Sequence, residues 1–232
     1  MTEYYAHSPK EDIPAQTYLS HINGVCRRAK DNAEDIGRYA KYDGELLSQI
    51  TEKATALHDL GKLDKENQTI LSGEKQGKHL PQNHADAGAA YFLDEEHFSA
   101  FAAAVVQAHH KGFPNFIAEQ NKGESIFRDI DIMTEVDKAL PDFERIHNSI
   151  IETSFTYGNE DIKGDFSVFL RLLLSCVIDA DHTDTAVNYK KYPEQMDIIP
   201  LRPSDRLARL DKYVSSLRGE DNDRNALRSE MY

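Results

Sequence analysis

The sequence predicts an all-α fold, a helical bundle, on three observations. Apolar residues recur at helical spacing along almost all of the 232 residues, the two-residue alternation of half-buried strands is scarce, and glycine and proline stand at the breaks between periodic runs. Helices are expected at about 17–41, 44–60, 84–94, 97–110, 130–139, 143–154, 165–181 and 203–217, with shorter helical turns at 63–71, 115–120 and 221–229. Taken in order, the first is a long apolar-periodic run that carries His21. The second ends before Gly61, and Gly73 and Gly77 mark the polar loop after it. Asn83 is a plausible cap for the third, whose first residue is His84. The fourth ends in His109-His110 ahead of Gly112 and Pro114. The fifth and sixth rest on spacing alone. The seventh is apolar almost all round, and Pro200 and Pro203 precede the eighth.

Composition narrows what such a chain can be. With 40% hydrophobic residues spread over its whole length, it can bury a sizeable core, and one domain is expected, with its core at about 4–185. The segment Tyr189–Pro203 precedes a helical extension at 203–230, too short to hold a core alone, which packs back or leads into a further domain of a longer parent. No run approaches the roughly 18 apolar residues of a membrane span, and Met1–Lys10 is too polar for a secretory leader, so a soluble cytoplasmic chain with no membrane partner is expected. Cys26 and Cys176 sit in apolar helical patterns as free thiols. A net charge of −13 argues against a generalised electrostatic grip on nucleic acid, although part of the acidity belongs to a metal site and to the 211–230 tail.

The informative feature is His58-Asp59 in ALHDLGK. Adjacent helical residues point about 100° apart, so the pair can serve two metals, or one metal from the imidazole and a bridging position from the carboxylate. His21, His84, His109 and His110 fall at element ends or on apolar faces, where an imidazole without a partner is costly. A histidine-rich, carboxylate-bridged set suits transition metals better than Ca or Mg. A last carboxylate is expected from FSVFLRLLLSCVIDADHTDT. On a helical wheel Phe166, Phe169, Leu170, Leu173 and Val177 form one face that includes Asp181, whereas Asp179 falls opposite, near Arg171. Asp181 is therefore the better ligand, and Asp179 an ion-pair partner, with Arg171 its natural mate.

ALHDLGK, NHADAGA, QAHHKG and DADHTDT, in that order and preceded by YYAHS and the His21 helix, resemble the HD nuclease of type I CRISPR systems. The resemblance runs from about Tyr4 to Thr185 and implies an HD-domain helical bundle. It also implies two divalent transition-metal ions: Mn, Ni, Co or Fe, with Mg also admissible. One ion would take His21, His58, Asp59 and the final-helix Asp, and the second would share Asp59 and take His84, His109 and His110. Lys62 matches the family's lysine and would sit near the scissile phosphate; a cation stabilising a helix C-terminus explains it equally well. The implied activity is two-metal hydrolysis of phosphodiester bonds in DNA, single-stranded by preference, in CRISPR interference, with single-stranded DNA, a surveillance complex and a helicase domain or subunit as partners. No G-x-x-x-x-G-K-[ST] phosphate loop occurs in this chain. A nucleotide phosphohydrolase or phosphodiesterase, and a docking module without catalysis, are the rival readings.

Other residues are given ordinary roles. His7 is expected at the surface or near the entrance of the site, and His79, His97, His147 and His182 in solvent. Lys111, Lys122 and Arg128 are read as wet surface charges in preference to phosphate contacts, because three charges do not make a patch.

Overall fold

A computed structural model describes residues 3–39, 43–77, 79–153, 155, 160, 166–194 and 202–216. The chain divides into two compact units, Met1–Pro193 and Glu194–Tyr232. The first contains α1 (Tyr18–Tyr39), α2 (Gly44–Leu57), α3 (Lys65–Leu71), α4 (Ala85–Leu93), α5 (Ala100–Ala108), α6 (Phe116–Gln120), α7 (Met133–Ile150) and α8 (Phe166–Asn188); the second contains α9 (Pro203–Ser216). The all-α expectation holds.

Local chemistry explains where these helices start. The Asp43 carboxylate accepts from the amides of Glu45 and Leu46 at the head of α2, and Asp64 and Asn115 cap α3 and α6 in the same way. Asn83 accepts from Ala85 N at 3.1 Å and so begins α4 as expected, although His84 is the residue at the cap position. In the core, α1 packs against α2 and α8, α2 also against α5 and α8, and α4 against α5. Tyr18, Ile22, Leu47, Ile50, Leu57, Phe92, Phe169 and Leu173 fill the space between them, and each such side chain contributes about 1.5–3 kcal/mol by leaving water. Cys26 and Cys176 are free.

Four boundaries differ from expectation. The helices expected at 130–139 and 143–154 are one helix, α7, with Pro141 inside it, because burial of Val136, Phe143 and His147 along one face outweighs the single lost backbone bond. The final-site helix α8 continues past Asp181 for two further turns. The second helix stops at Leu57, and a tight 3-10 turn, Leu60–Leu63, follows. A short antiparallel hairpin, β1 (Tyr5–His7) with β2 (Gln16–Thr17), precedes α1. The expected turn at 221–229 lies outside the described residues. Among those described, no helix is long and apolar enough to cross a membrane.

Candidate metal centre

Asp59 stands where the chain leaves α2, and its two oxygens face different ways. Oδ2 lies 3.0 Å from His21 Nε2 and 3.4 Å from His58 Nε2, whereas Oδ1 lies 3.5 Å from His84 Nε2. Asp181 Oδ1 adds itself to the first side, 3.4 Å from His21 Nε2 and 3.9 Å from His58 Nε2. On the second side His84 Nε2 and His110 Nε2 are 2.6 Å apart, and His109 joins them in a group with Asp59. Two sets of ligand-type atoms therefore share one carboxylate.

The helices aim these rings by bracing the other nitrogen. His58 donates from Nδ1 to Thr55 O at 2.7 Å, and His109 from Nδ1 to Val106 O at 2.5 Å. A carbonyl only accepts, so Nδ1 carries a proton in both rings and Nε2 is the atom turned inward. His21 is braced by a carboxylate, its Nδ1 3.0 Å from Asp184 Oδ2. Gly24, one turn along α1, makes room for that carboxylate, which a Cβ there would overlap.

The residues fit a pair of ions. Nε2 of His21, His58 and His109 and Oδ1 of Asp59 are buried and form no aligned hydrogen bond, and Oδ2 of Asp59 has the Lys62 ammonium beside it. Four such orphaned atoms at one place would be costly unless a common partner satisfies them. Separations of 3.0–3.9 Å in the first set match the edges of a coordination shell with bonds of about 2.1 Å. Imidazole and carboxylate donors select Mn, Fe, Co, Ni or Zn.

Electrostatics agree. Burial alone would raise the Asp59 carboxyl, but His58, Lys62 and His21 outweigh it and hold it well below the usual carboxylate range. Burial lowers His84 to about 3 and His109 far below its ordinary value, so both rings are neutral and available as ligands. Burial would also depress His21, but the surrounding carboxylates of Asp181, Asp184 and Asp59 raise it to about 10, and an ion there would take the place of its proton. Lys62 is buried, with Nζ 2.6 Å from Asp59 Oδ2. It lines a cleft of ≈ 320 Å³ together with His7, His110, Asp181, Thr185 and Tyr189.

All eight residues singled out from the sequence, His21, His58, Asp59, Lys62, His84, His109, His110 and Asp181, converge on this place. Asp181 faces inward as the wheel requires, and Asp179 is turned away, accepting from Asn32 Nδ2 at 3.0 Å. Arg171 is not its partner: eight residues along a helix is about 12 Å, too far for a pair.

Several other expectations need correction. Of the two places expected for His7, the structure has the one near the entrance of the site: half-buried on β1, it lines the cleft, its ring meets His21 edge-on at 4.6 Å and its Nε2 lies 3.0 Å from Thr185 Oγ1. His147 is not solvated but buried, 3.1 Å from the Tyr18 hydroxyl, and His97 is half-buried and stacked on Tyr91. His79 and His182 are exposed as expected. Arg128 is buried against Asp86 and Asp137, and Lys122 pairs with Glu119 at 2.7 Å. Asp184 was not singled out at all. Its signal was present, since in DADHTDT it follows Asp181 by three residues and so shares its helix face.

A model of the HD domain family matches residues 18–138, more than half of the chain, including every expected ligand except Asp181. Comparison with curated proteins and with solved structures finds no match.

Proposed function

This chain belongs to the HD domain family, and on that premise we propose that it is a metal-dependent nuclease that hydrolyses phosphodiester bonds of single-stranded DNA in CRISPR interference. The coarser reading, an HD-type hydrolase, follows from the family. The observation that carries the proposal is Asp59, whose two oxygens face two separate histidine groups. That arrangement suits two ions sharing a carboxylate, with His21, His58, Asp59 and Asp181 holding one and Asp59, His84, His109 and His110 the other.

When bound, such ions acidify water and neutralise charge on a phosphodiester. The chain's own residues do the rest. The Lys62 ammonium lines the cleft and offsets negative charge that grows at phosphorus. Buried walls around Asp59 exclude bulk water and so strengthen that interaction. Water adds to phosphorus and the bridging P–O bond breaks, leaving a phosphomonoester and an alcohol that takes up the proton. DNA is favoured by the order of ALHDLGK, NHADAGA, QAHHKG and DADHTDT, which resembles the CRISPR nucleases. A helicase and a surveillance complex would supply the grip on DNA that a chain of net charge −13 lacks.

The test is cleavage of single-stranded DNA with added Mn or Ni. His58→Ala and Asp59→Ala are expected to abolish it while the circular dichroism of a helical protein persists. Turnover of mononucleotides without DNA cleavage would instead identify a nucleotide phosphohydrolase, and activity retained in both variants would remove the metal centre from the reaction.

A further inference from the structure

We propose that the buried Arg128–Asp86 ion pair is a positioning device for His84, and through it sets the affinity of the second ion group more than that of the first. The inference rests on the two-ion reading above and adds residues that contact no ion themselves.

His84 differs from the other buried ligands. His58 and His109 are each braced at Nδ1 by a backbone carbonyl and His21 by Asp184. Among the described residues, the ring of His84 hydrogen-bonds only to His110, another member of the site. Its orientation must come from its backbone. Gly61 N donates to His84 O at 3.3 Å, and Gly61 lets the two segments approach, since a Cβ there would lie 2.6 Å from that same oxygen.

The residues flanking His84 are held by the segment before α7. Asp86, two residues on, is fully buried and receives Arg128 in a two-pronged pairing, with Nε 3.2 and 3.1 Å from its two oxygens and Nη2 2.8 Å from Oδ2. Asp129 N also donates to Asp86 Oδ1 at 2.7 Å. On the near side of His84, Asn83 donates from Nδ2 to Asp129 Oδ2 at 3.0 Å and accepts from Ala85 N. Arg128 is itself tied to α7 through Asp137 Oδ1 at 2.7 Å. A planar guanidinium held at both ends fixes direction as well as distance, which an ammonium could not do.

An independent observation points the same way. Phe127, the residue before Arg128, has φ of 54°, a left-handed conformation unfavourable for a bulky side chain. It is maintained by burial and by a bond from Phe127 N to the buried carboxylate of Glu119 at 2.9 Å. Strain of this kind persists where surrounding structure requires it, and here it turns the chain so that Arg128 meets Asp86. The first group shares Asp59 with the second, but its other residues, His21, His58 and Asp181, stand on α1, at the end of α2 and on α8, none of which carries Arg128 or Asp86.

The test is equilibrium dialysis of the full chain against Mn(II), counting ions and their dissociation constants, with circular dichroism as the check on folding. Wild type is expected to hold two ions. Arg128→Lys, which keeps the charge and loses the fork, is expected to weaken one ion by about tenfold or more and the other by less. Asn83→Ala leaves no charge buried and serves where Arg128→Lys does not fold; it is expected to weaken the same ion to a smaller degree. Two ions of unchanged affinity in both folded variants would overturn the latch alone. Equal weakening of both ions would also overturn it, showing general loosening. A wild type that binds no ion would overturn the two-ion reading, and the latch with it.

Discussion

His58 and His109 use one device twice: each ends a helix, and each gives its Nδ1 proton to the carbonyl three residues back. A histidine at a helix C-cap thus presents a defined lone pair of the kind a metal ligand needs, and no residue elsewhere in the chain is needed to set its tautomer. Asp181 and Asp179 make the converse point, for two residues separate a buried carboxylate at the centre from an exposed one bonded to Asn32. Asp181→Ala is expected to lower metal-dependent cleavage by about 100-fold or more, and Asp179→Ala by no more than a few-fold; kcat/KM on one DNA substrate checks the order. His147 supplies a pH prediction away from the metal centre. Burial lowers it to about 4, so the unfolded chain takes up its proton first as pH falls below about 6.5. Its contribution to stability is therefore complete above that value and is lost progressively as pH falls from there to 4, on the order of 3 kcal/mol in all. His147→Gln is expected to lose less stability than wild type between about pH 7 and pH 5, measured by urea unfolding; parallel losses would sink the assignment.

Among the elements, α2 shows how a stop positions chemistry. Had the helix continued through residue 60, as its apolar spacing suggests, Asp59 would have kept helical dihedrals; instead its φ and ψ are −106° and 17° and the 3-10 turn begins. Periodicity reports which face is apolar and is blind to the last residue of a run, because helix and 3-10 turn bury the same side chains. The hairpin was invisible for a related reason: three residues and two residues are too short to show alternation. In α1, Gly24→Ala would push a methyl into the Asp184 carboxylate and tilt His21. A loss of about 1–3 kcal/mol and weaker metal binding are expected, read by thermal melting and metal titration. In α7, Pro141 is exposed and removes one backbone bond, so Pro141→Ala is expected to stabilise the helix by about 1–3 kcal/mol, seen as a higher urea midpoint at unchanged slope.

For the molecule as a whole, a cluster of buried, unaligned ligand atoms couples folding to metal. Free ion at about 1,000 times its dissociation constant adds roughly 4 kcal/mol, so stripping the protein with a chelator is expected to lower its melting temperature by roughly 10 °C, and Mn(II) to restore it. An unchanged melting temperature would count against any bound ion. The sequence by itself determined the helical class, the order of the ligands and even the inward face of α8, because each of these depends on residue identity or on spacing within one element. Tertiary structure alone decided which groups meet. His7 reaches His21 through a strand pairing, Asp184 reaches the same ring from another helix, and Arg128 leaves the surface to pair with a carboxylate 42 residues away. Such contacts join segments distant along the chain, and local periodicity contains no term for them; only the packing of the core brings those segments together.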